Sequence, residues 1–148
     1  MTKTNDRYEL LADCSCNMLR KTARKITQFY EHALRDVGIK PTQFTILAAL
    51  ANKGPMQLTM LADKLLLERT GLTRNLNVLV RNGWVSIEAG ETDLRQRVIT
   101  LTDDGFEKLD AAYPYWHKAQ ISVERKMGQS KISELRSNLQ ELTDITAI

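Results

Sequence analysis

A mainly α-helical fold with one small β-hairpin is what this sequence predicts, on three observations. Leu72, Leu76 and Leu79 recur at i, i+4 and i+7, one stripe of a helix with 3.6 residues per turn. Segments 84–87 and 97–101 are short, β-branched and alternating, and the polar stretch 88–96 with Gly90 joins them as a hairpin. Long segments on either side carry apolar residues at helical spacing, among them Leu10, Leu11, Met18, Leu19, Ile26, Phe29 and Leu34 before the stripe, and Phe106, Leu109, Tyr113, Trp116, Val123 and Met127 after it.

In chain order, a first helix is expected over 6–37, ending at Gly38, since glycine suits the left-handed position beyond a helix end. Pro41 fits the first turn of a second helix running through Phe44, Leu47 and Leu50 to Ala51, closed by Asn52, Lys53, Gly54 and Pro55. A short third helix over 59–65 and the turn Leu66, Leu67, Glu68 lead to the fourth, which stops at Asn82 and Gly83. Two helices about three residues apart form a helix-turn-helix. After the hairpin, Thr102 offers an N-cap hydroxyl, with Asp103 and Asp104 where the helix dipole favours negative charge. The fifth helix stops at Gly128. Ser130 is expected to cap a sixth, with Ile132, Leu135, Leu139, Leu142 and Ile145 spaced by threes and fours as a seam that wants a partner helix.

Opposite the leucine stripe of the fourth helix lie Thr70, Thr73, Arg74, Asn77 and Arg81, with no acidic residue between Arg69 and Arg81. Hydroxyl, amide and guanidinium groups are the ones that reach base edges and phosphate oxygens in a major groove. A merely solvated face mixes Glu with its Lys and Arg.

Composition bounds the class. The 148 residues, 43% hydrophobic, suffice for one ordinary domain with a real core and exclude a disordered chain. No apolar run approaches the ~20 residues that span a bilayer, and the polar start 1–10 lacks a secretory apolar stretch, so the cytoplasm is the expected compartment and no membrane partner is expected. A net charge of +3 is mild, so any DNA contact must come from a local basic surface, which dimerisation doubles. Two cysteines, Cys14 and Cys16, make no disulfide framework. Two residues apart on one helix they point to nearly opposite sides and cannot chelate one ion or join without strain. His32 and His117 stand alone on different helices, so no metal and no cofactor are expected.

The order and motifs resemble the MarR family of winged helix-turn-helix regulators, from about Leu10 to Leu142. Asp93, Arg95, Ile99, Leu101, Thr102 and Gly105 stand as the wing signature. Gln43 and Phe44, Leu61 and Ala62, and the run Leu72, Thr73, Arg74, Asn75, Leu76 support it. The resemblance implies one domain over 1–148, with N- and C-terminal dimerisation helices at about 6–37 and 102–146 and a DNA-binding lobe at about 41–101. It implies a homodimer, a repressor, on a pseudo-palindromic double-stranded operator, with half-sites about one helical turn, ~34 Å, apart. By position, Thr70, Thr73, Arg74, Asn75 and Asn77 face the major groove and Arg81 the phosphates. Arg95 enters the minor groove, oriented by an ion pair with Asp93, and Arg97 is a second backbone contact. The family also departs here: glycine often stands where Leu66 does and a short capping residue where Glu68 does, and Gly71 costs its helix roughly 1 kcal/mol relative to Ala.

Effectors of the family are commonly small aromatic or phenolic molecules held between the dimerisation region and the lobe, where Tyr30, Phe44, Leu47, Tyr113 and Trp116 are the candidates. The same aromatics also suit a core or an interface. Cys16 aligns with the reactive cysteine of the organic-peroxide sensors of OhrR type. Their two tyrosine partners are replaced by Arg20 and Pro41, and Arg20, one turn on, can itself stabilise a thiolate. The plain alternative is a small buried residue in a helix. An enzyme is not expected, since no Gly-rich phosphate loop, metal spacing or activated serine is present. A dimeric protein-interaction module accounts for the outer helices and leaves Arg74, Arg81, Arg95 and Arg97 unexplained.

Overall fold

The computed structural model describes residues 6–147. Residues 1–5 and 148, the two ends of the expected 1–148 domain, lie outside the described residues. The first helix is divided where one was expected over 6–37. A 3-10 helix, Asp6–Asp13, precedes α1, Ser15–Leu34, and Cys14 is the break, with φ −59° and ψ 117°. The run Asp13, Cys14, Ser15 consists of poor helix-interior residues that favour caps and turns. α1 unwinds through 35–38, where Gly38 takes φ 71° and gives its N–H to the carbonyls of Leu34 and Arg35.

Pro41 opens α2, Pro41–Lys53, and Gln43 Oε1 accepts from the Lys40 N–H at 3.1 Å, satisfying a donor ahead of the first turn. β1, Met56–Gln57, a strand too short for any sequence pattern, leads into α3, Leu58–Leu65. α4 is Arg69–Arg81. The hairpin strands are β2, Val85–Ala89, one residue later than expected at its start, and β3, Arg97–Leu101. The sheet order is β1-β3-β2, antiparallel throughout, with Met56 opposite Ile99 and Val85 opposite Leu101.

Thr102 caps α5, Asp103–Met127: its hydroxyl accepts from Gly105 N–H at 3.1 Å and donates to Gly83 O at 2.6 Å. Pro114 lies inside α5 and leaves the Asp110 carbonyl without its helical donor. α6, Gln129–Ile145, is capped by Gly128 at φ 89° rather than by Ser130, which falls within its first turn.

The core joins α2, α3, α4 and the sheet. Leu72, Leu76 and Leu79 are at most 1% exposed and pack with Leu47, Leu50, Leu61 and Ile99. Leu34, at the end of α1, and Ala112, in α5, are the buried residues that the outer helices give to this cluster, with Leu109 and Trp116 of α5 packed against it. No helix among the described residues is long and apolar enough to cross a membrane.

Candidate nucleic-acid interface

Recognition-face geometry starts at the end of α3. Leu66 takes φ 50° and ψ 40°, a left-handed conformation that costs an L-residue with a Cβ roughly 1–2 kcal/mol. The Leu67 N–H reaches the Ala62 carbonyl at 2.9 Å, closing the helix end in a Schellman turn that glycine normally serves. Glu68 precedes α4 with extended backbone and no side-chain cap, and Gly71 has open space where a Cβ would stand. The turn and first coil of α4 are therefore its weakest part.

Buried leucines fix the rotation of α4 and leave Thr70, Thr73, Arg74, Asn77 and Arg81 exposed together. Asn75 lies at the edge of that face, half-buried, and donates its side-chain amide to the Gly71 carbonyl at 2.9 Å, bridging the turn that glycine weakens.

Arg95 is exposed at the wing tip and Arg97 opens β3. Asp93 acts on Arg95 through the backbone: its Oδ1 accepts the Arg95 N–H at 3.0 Å. The expected ion pair is not formed, since among the described residues the pair within 4 Å is Arg136 with Glu124. A short side chain two residues upstream reaches a backbone amide more readily than a flexible guanidinium. Gly90 closes the wing, where a Cβ would come within 2.7 Å of the Asp93 carbonyl. Gln57 in β1 donates to Gln96 Oε1 at 2.7 Å and so anchors the wing base to the strand that sequence reasoning missed.

That anchoring brings Arg69, at the start of α4, to a groove of about 210 Å³ shared with Arg95 and Arg97. Arg69 was not among the expected contacts. Its signal was its place as the first residue of α4, where a guanidinium and unsatisfied amides meet at one helix start. Three cations rim this groove against the exposed polar face, and the surface can hold phosphate oxygens while α4 offers hydrogen bonds to bases.

Among the seven glycines Gly105 is the most tightly packed. A Cβ there would lie 2.1 Å from the Trp84 carbonyl and 2.5 Å from Leu101 Cδ1, so only hydrogen lets α5 start against the wing. Lys108, one turn later, donates to the Val37 carbonyl and lies 4.7 Å over the Trp84 ring.

Between α1, α2 and α5 an open crevice of about 250 Å³ is walled by Ile26, Tyr30, Pro41, Phe44, Trp116 and Gln120. Phe44 stacks on Trp116 at 5.7 Å. Of the five expected pocket residues, Tyr30, Phe44 and Trp116 face this space. Leu47 is completely buried in the core and does not line it, and Tyr113 is exposed and stacked on His117 at 5.5 Å, outside it. The Tyr30 hydroxyl donates to Gln120 Oε1 at 2.5 Å, and Gln120 and Arg136 each donate to Glu124 at 2.8 Å, tying α1, α5 and α6 together. Burial raises the Tyr30 pKa, and the nearby Glu124 charge adds to the rise. Glu124 is held below the usual carboxylate range by those two hydrogen bonds, from Gln120 first and Arg136 second. Cys16 is exposed in the first turn of α1, not buried as its plain reading held, because the break at Cys14 leaves that turn at the molecule's edge.

Comparison with known proteins agrees with this geometry. A model of the MarR family matches residues 37–96, the stretch from the turn after α1 to the wing. The Bacillus subtilis (strain 168) HTH-type transcriptional regulator YkoM is 37% identical over 101 residues, which span 66% of each chain. The Mycobacterium tuberculosis transcriptional regulator MosR, solved in complex with DNA, is 34% identical, with a TM-score of 0.79 over 91% of this chain and 99% of that one. Overoxidized AbfR bound to DNA is 29% identical, with a TM-score of 0.70 over 94% and 99% of the two chains.

Proposed function

This chain belongs to the MarR family, and from that premise we propose that it is a homodimeric repressor of a pseudo-palindromic DNA operator, released by a small ligand or an oxidant. The observation that carries this reading is the union of the acid-free exposed face of α4 with the three-arginine groove under the wing. In it, Thr70, Thr73, Arg74 and Asn77 read bases, Arg69, Arg81 and Arg97 hold phosphates, and Arg95 enters the minor groove with Asp93 shaping its turn. Asn75 supports the first coil and reaches a base only by releasing Gly71. Residues 41–101 form the DNA-binding lobe, and 6–37 with 102–146 the dimerisation region. MosR and AbfR, both solved on DNA, support the partner.

An aromatic effector suits the crevice of Tyr30, Phe44 and Trp116, which touches both regions. It relieves repression only by binding better to a dimer whose recognition helices no longer match the half-sites.

A second reading rests on the exposure of Cys16 and on the overoxidized form of AbfR. In it, the Cys16 thiolate attacks an organic hydroperoxide, takes one oxygen as sulfenic acid and releases the alcohol.

One experiment tests the set. Selection from a random duplex library with reduced protein is expected to enrich a two-fold pseudo-palindrome. On the selected duplex Arg95→Ala weakens binding roughly 10- to 100-fold at fixed salt while leaving the dimer intact. Binding that only tracks salt, or unchanged affinity of the variant, rejects the assignment. A stoichiometric organic hydroperoxide added to the same complex releases wild type and not Cys16→Ser if the second reading holds, and equal release from both makes Cys16 structural.

A further inference from the structure

A larger and more polar groove than the aromatic crevice, about 450 Å³, lies between the C-terminal end of α1, the turn into α2 and the C-terminal end of α4. Its walls include Glu31, Arg35, Lys40, Gln43, Val78 and Asn82. Gln43 is the informative residue: it is 7% exposed, and its Oε1 is fixed by the Lys40 N–H at 3.1 Å. Fixing the oxygen fixes the amide nitrogen too. Among the described residues that Nε2 has no hydrogen-bond partner, and none of their buried side-chain polar atoms is left sealed without one, so it opens into the groove. A donor held so deeply is worth most when something accepts from it.

Arg35 and Lys40 stand at the mouth with no carboxylate within 4 Å among the described residues. Two cations and a fixed amide donor select an anion, whereas Glu31 on the same wall accepts a hydrogen bond and repels a second anionic group. Nothing here offers the aromatic faces of the other crevice.

We propose that this groove binds a small hydroxylated organic anion, its charged end on Arg35, Lys40 and Gln43 Nε2 and a hydroxyl donated to Glu31, and that occupancy biases α4 through Val78 and Asn82. The binding half stands on the groove alone, and the regulatory half rests on the reading of α4 as the recognition helix. Such a ligand shifts DNA affinity only by its preference for one orientation of α4 over another.

Amide chemical-shift titration of the DNA-free protein tests the site. The probes are sn-glycerol 3-phosphate and D-glycerate, which separate a phosphate from a carboxylate end, with inorganic phosphate and glycerol as half-ligands. The expected result is saturable shifts at Gln43, Val78 and Asn82 with one of the two probes, at least tenfold tighter than with either half-ligand. Gln43→Glu keeps the acceptor for Lys40 while replacing the donor with charge. Both it and the exposed-site variant Arg35→Gln are expected to weaken binding at least tenfold. The proposal is overturned by no saturation up to roughly 10 mM, a range weaker than useful recognition, by equal binding of inorganic phosphate, or by shifts confined to Tyr30, Phe44 and Trp116. Adding the same probe to the complex with the selected duplex is expected to weaken DNA binding at least threefold. Unchanged DNA affinity with intact binding rejects the coupling to α4, and a failed duplex selection leaves the titration valid.

Discussion

The 13 residues of α2 bury six side chains and the 13 of α4 bury three, whereas the 20 of α1 bury only Leu34 and the 17 of α6 only Ile132. Leu10, Met18, Phe29, Phe106, Leu135, Leu139 and Ile145 are each more than a third exposed. Helices that hold apolar stripes open to water over their whole length are stable when something covers those stripes. The winged-helix elements therefore complete their core within one chain, and in the dimer proposed above the outer helices complete theirs with a second. On that proposal recognition chemistry sits on the self-sufficient part and assembly on the dependent part, so each is expected to be damaged without the other.

The largest expected effect breaks the self-sufficient part. Gly105→Ala places a methyl group where the Trp84 carbonyl and Leu101 already stand, and both belong to packed backbone and core. Destabilisation of about 3 kcal/mol is expected, a fall in Tm of roughly 6–12 °C. A thermal melt measures it. A change under roughly 2 °C shows that the α5 start can slide from the wing, and the division drawn above loses its anchor.

Next in size is damage to the other part. Leu139 is 41% exposed on the α6 stripe. Leu139→Asp puts a charge into the seam and is expected to raise the dimer dissociation constant about 100-fold. Sedimentation velocity across a concentration series reads this. Hydrogen exchange in α4 and β3 should stay at wild-type protection. Loss of that protection together with the dimer shows that the winged-helix elements do not stand alone.

The two parts also differed in how much the sequence disclosed. In α4 every leucine of the stripe is buried, because one helix face meets one core and the period is the whole message. Thr102 caps as its type and place imply. β1 escaped because two residues have no period and their partner Ile99 lies 43 positions away in the register Met56–Ile99. The break at Cys14 escaped because exposed apolar residues continue through it, so the pattern did not register the change of helix type. Pro114 was passed over inside a strong helical pattern, and α5 accommodates it at an exposed position. Asp93 was read as part of the wing signature with the Arg95 guanidinium as its partner, but it holds the Arg95 N–H instead, since a motif gives position and not which atom of a neighbour is reached. The polar groove at Gln43 combines three separated segments, α1, α2 and α4, and left no linear signal.

The smallest expected effect sharpens the comparison at the joint between α5 and α6. Glu124 receives hydrogen bonds from Gln120 and Arg136, and its folded-state pKa lies below its unfolded value. A carboxylate lowered by folding contributes stability that is fully present above the unfolded carboxylate range and disappears as pH falls through the lowered folded value. Glu124→Gln removes the charge, so wild type should melt slightly higher than the variant at neutral pH, with the gap closing under acid. Raised salt should narrow the neutral gap too, because the Arg136 side chain is 59% exposed and the pair is screened. Paired melts between pH 7 and acid measure it. A gap that persists in acid shows that the carboxamide differs in packing rather than charge, and the link between the outer helices is then steric. A gap that instead grows with protein concentration at neutral pH places this pair within reach of the dimer contact, and assigns the charge to the part of the molecule that depends on its partner.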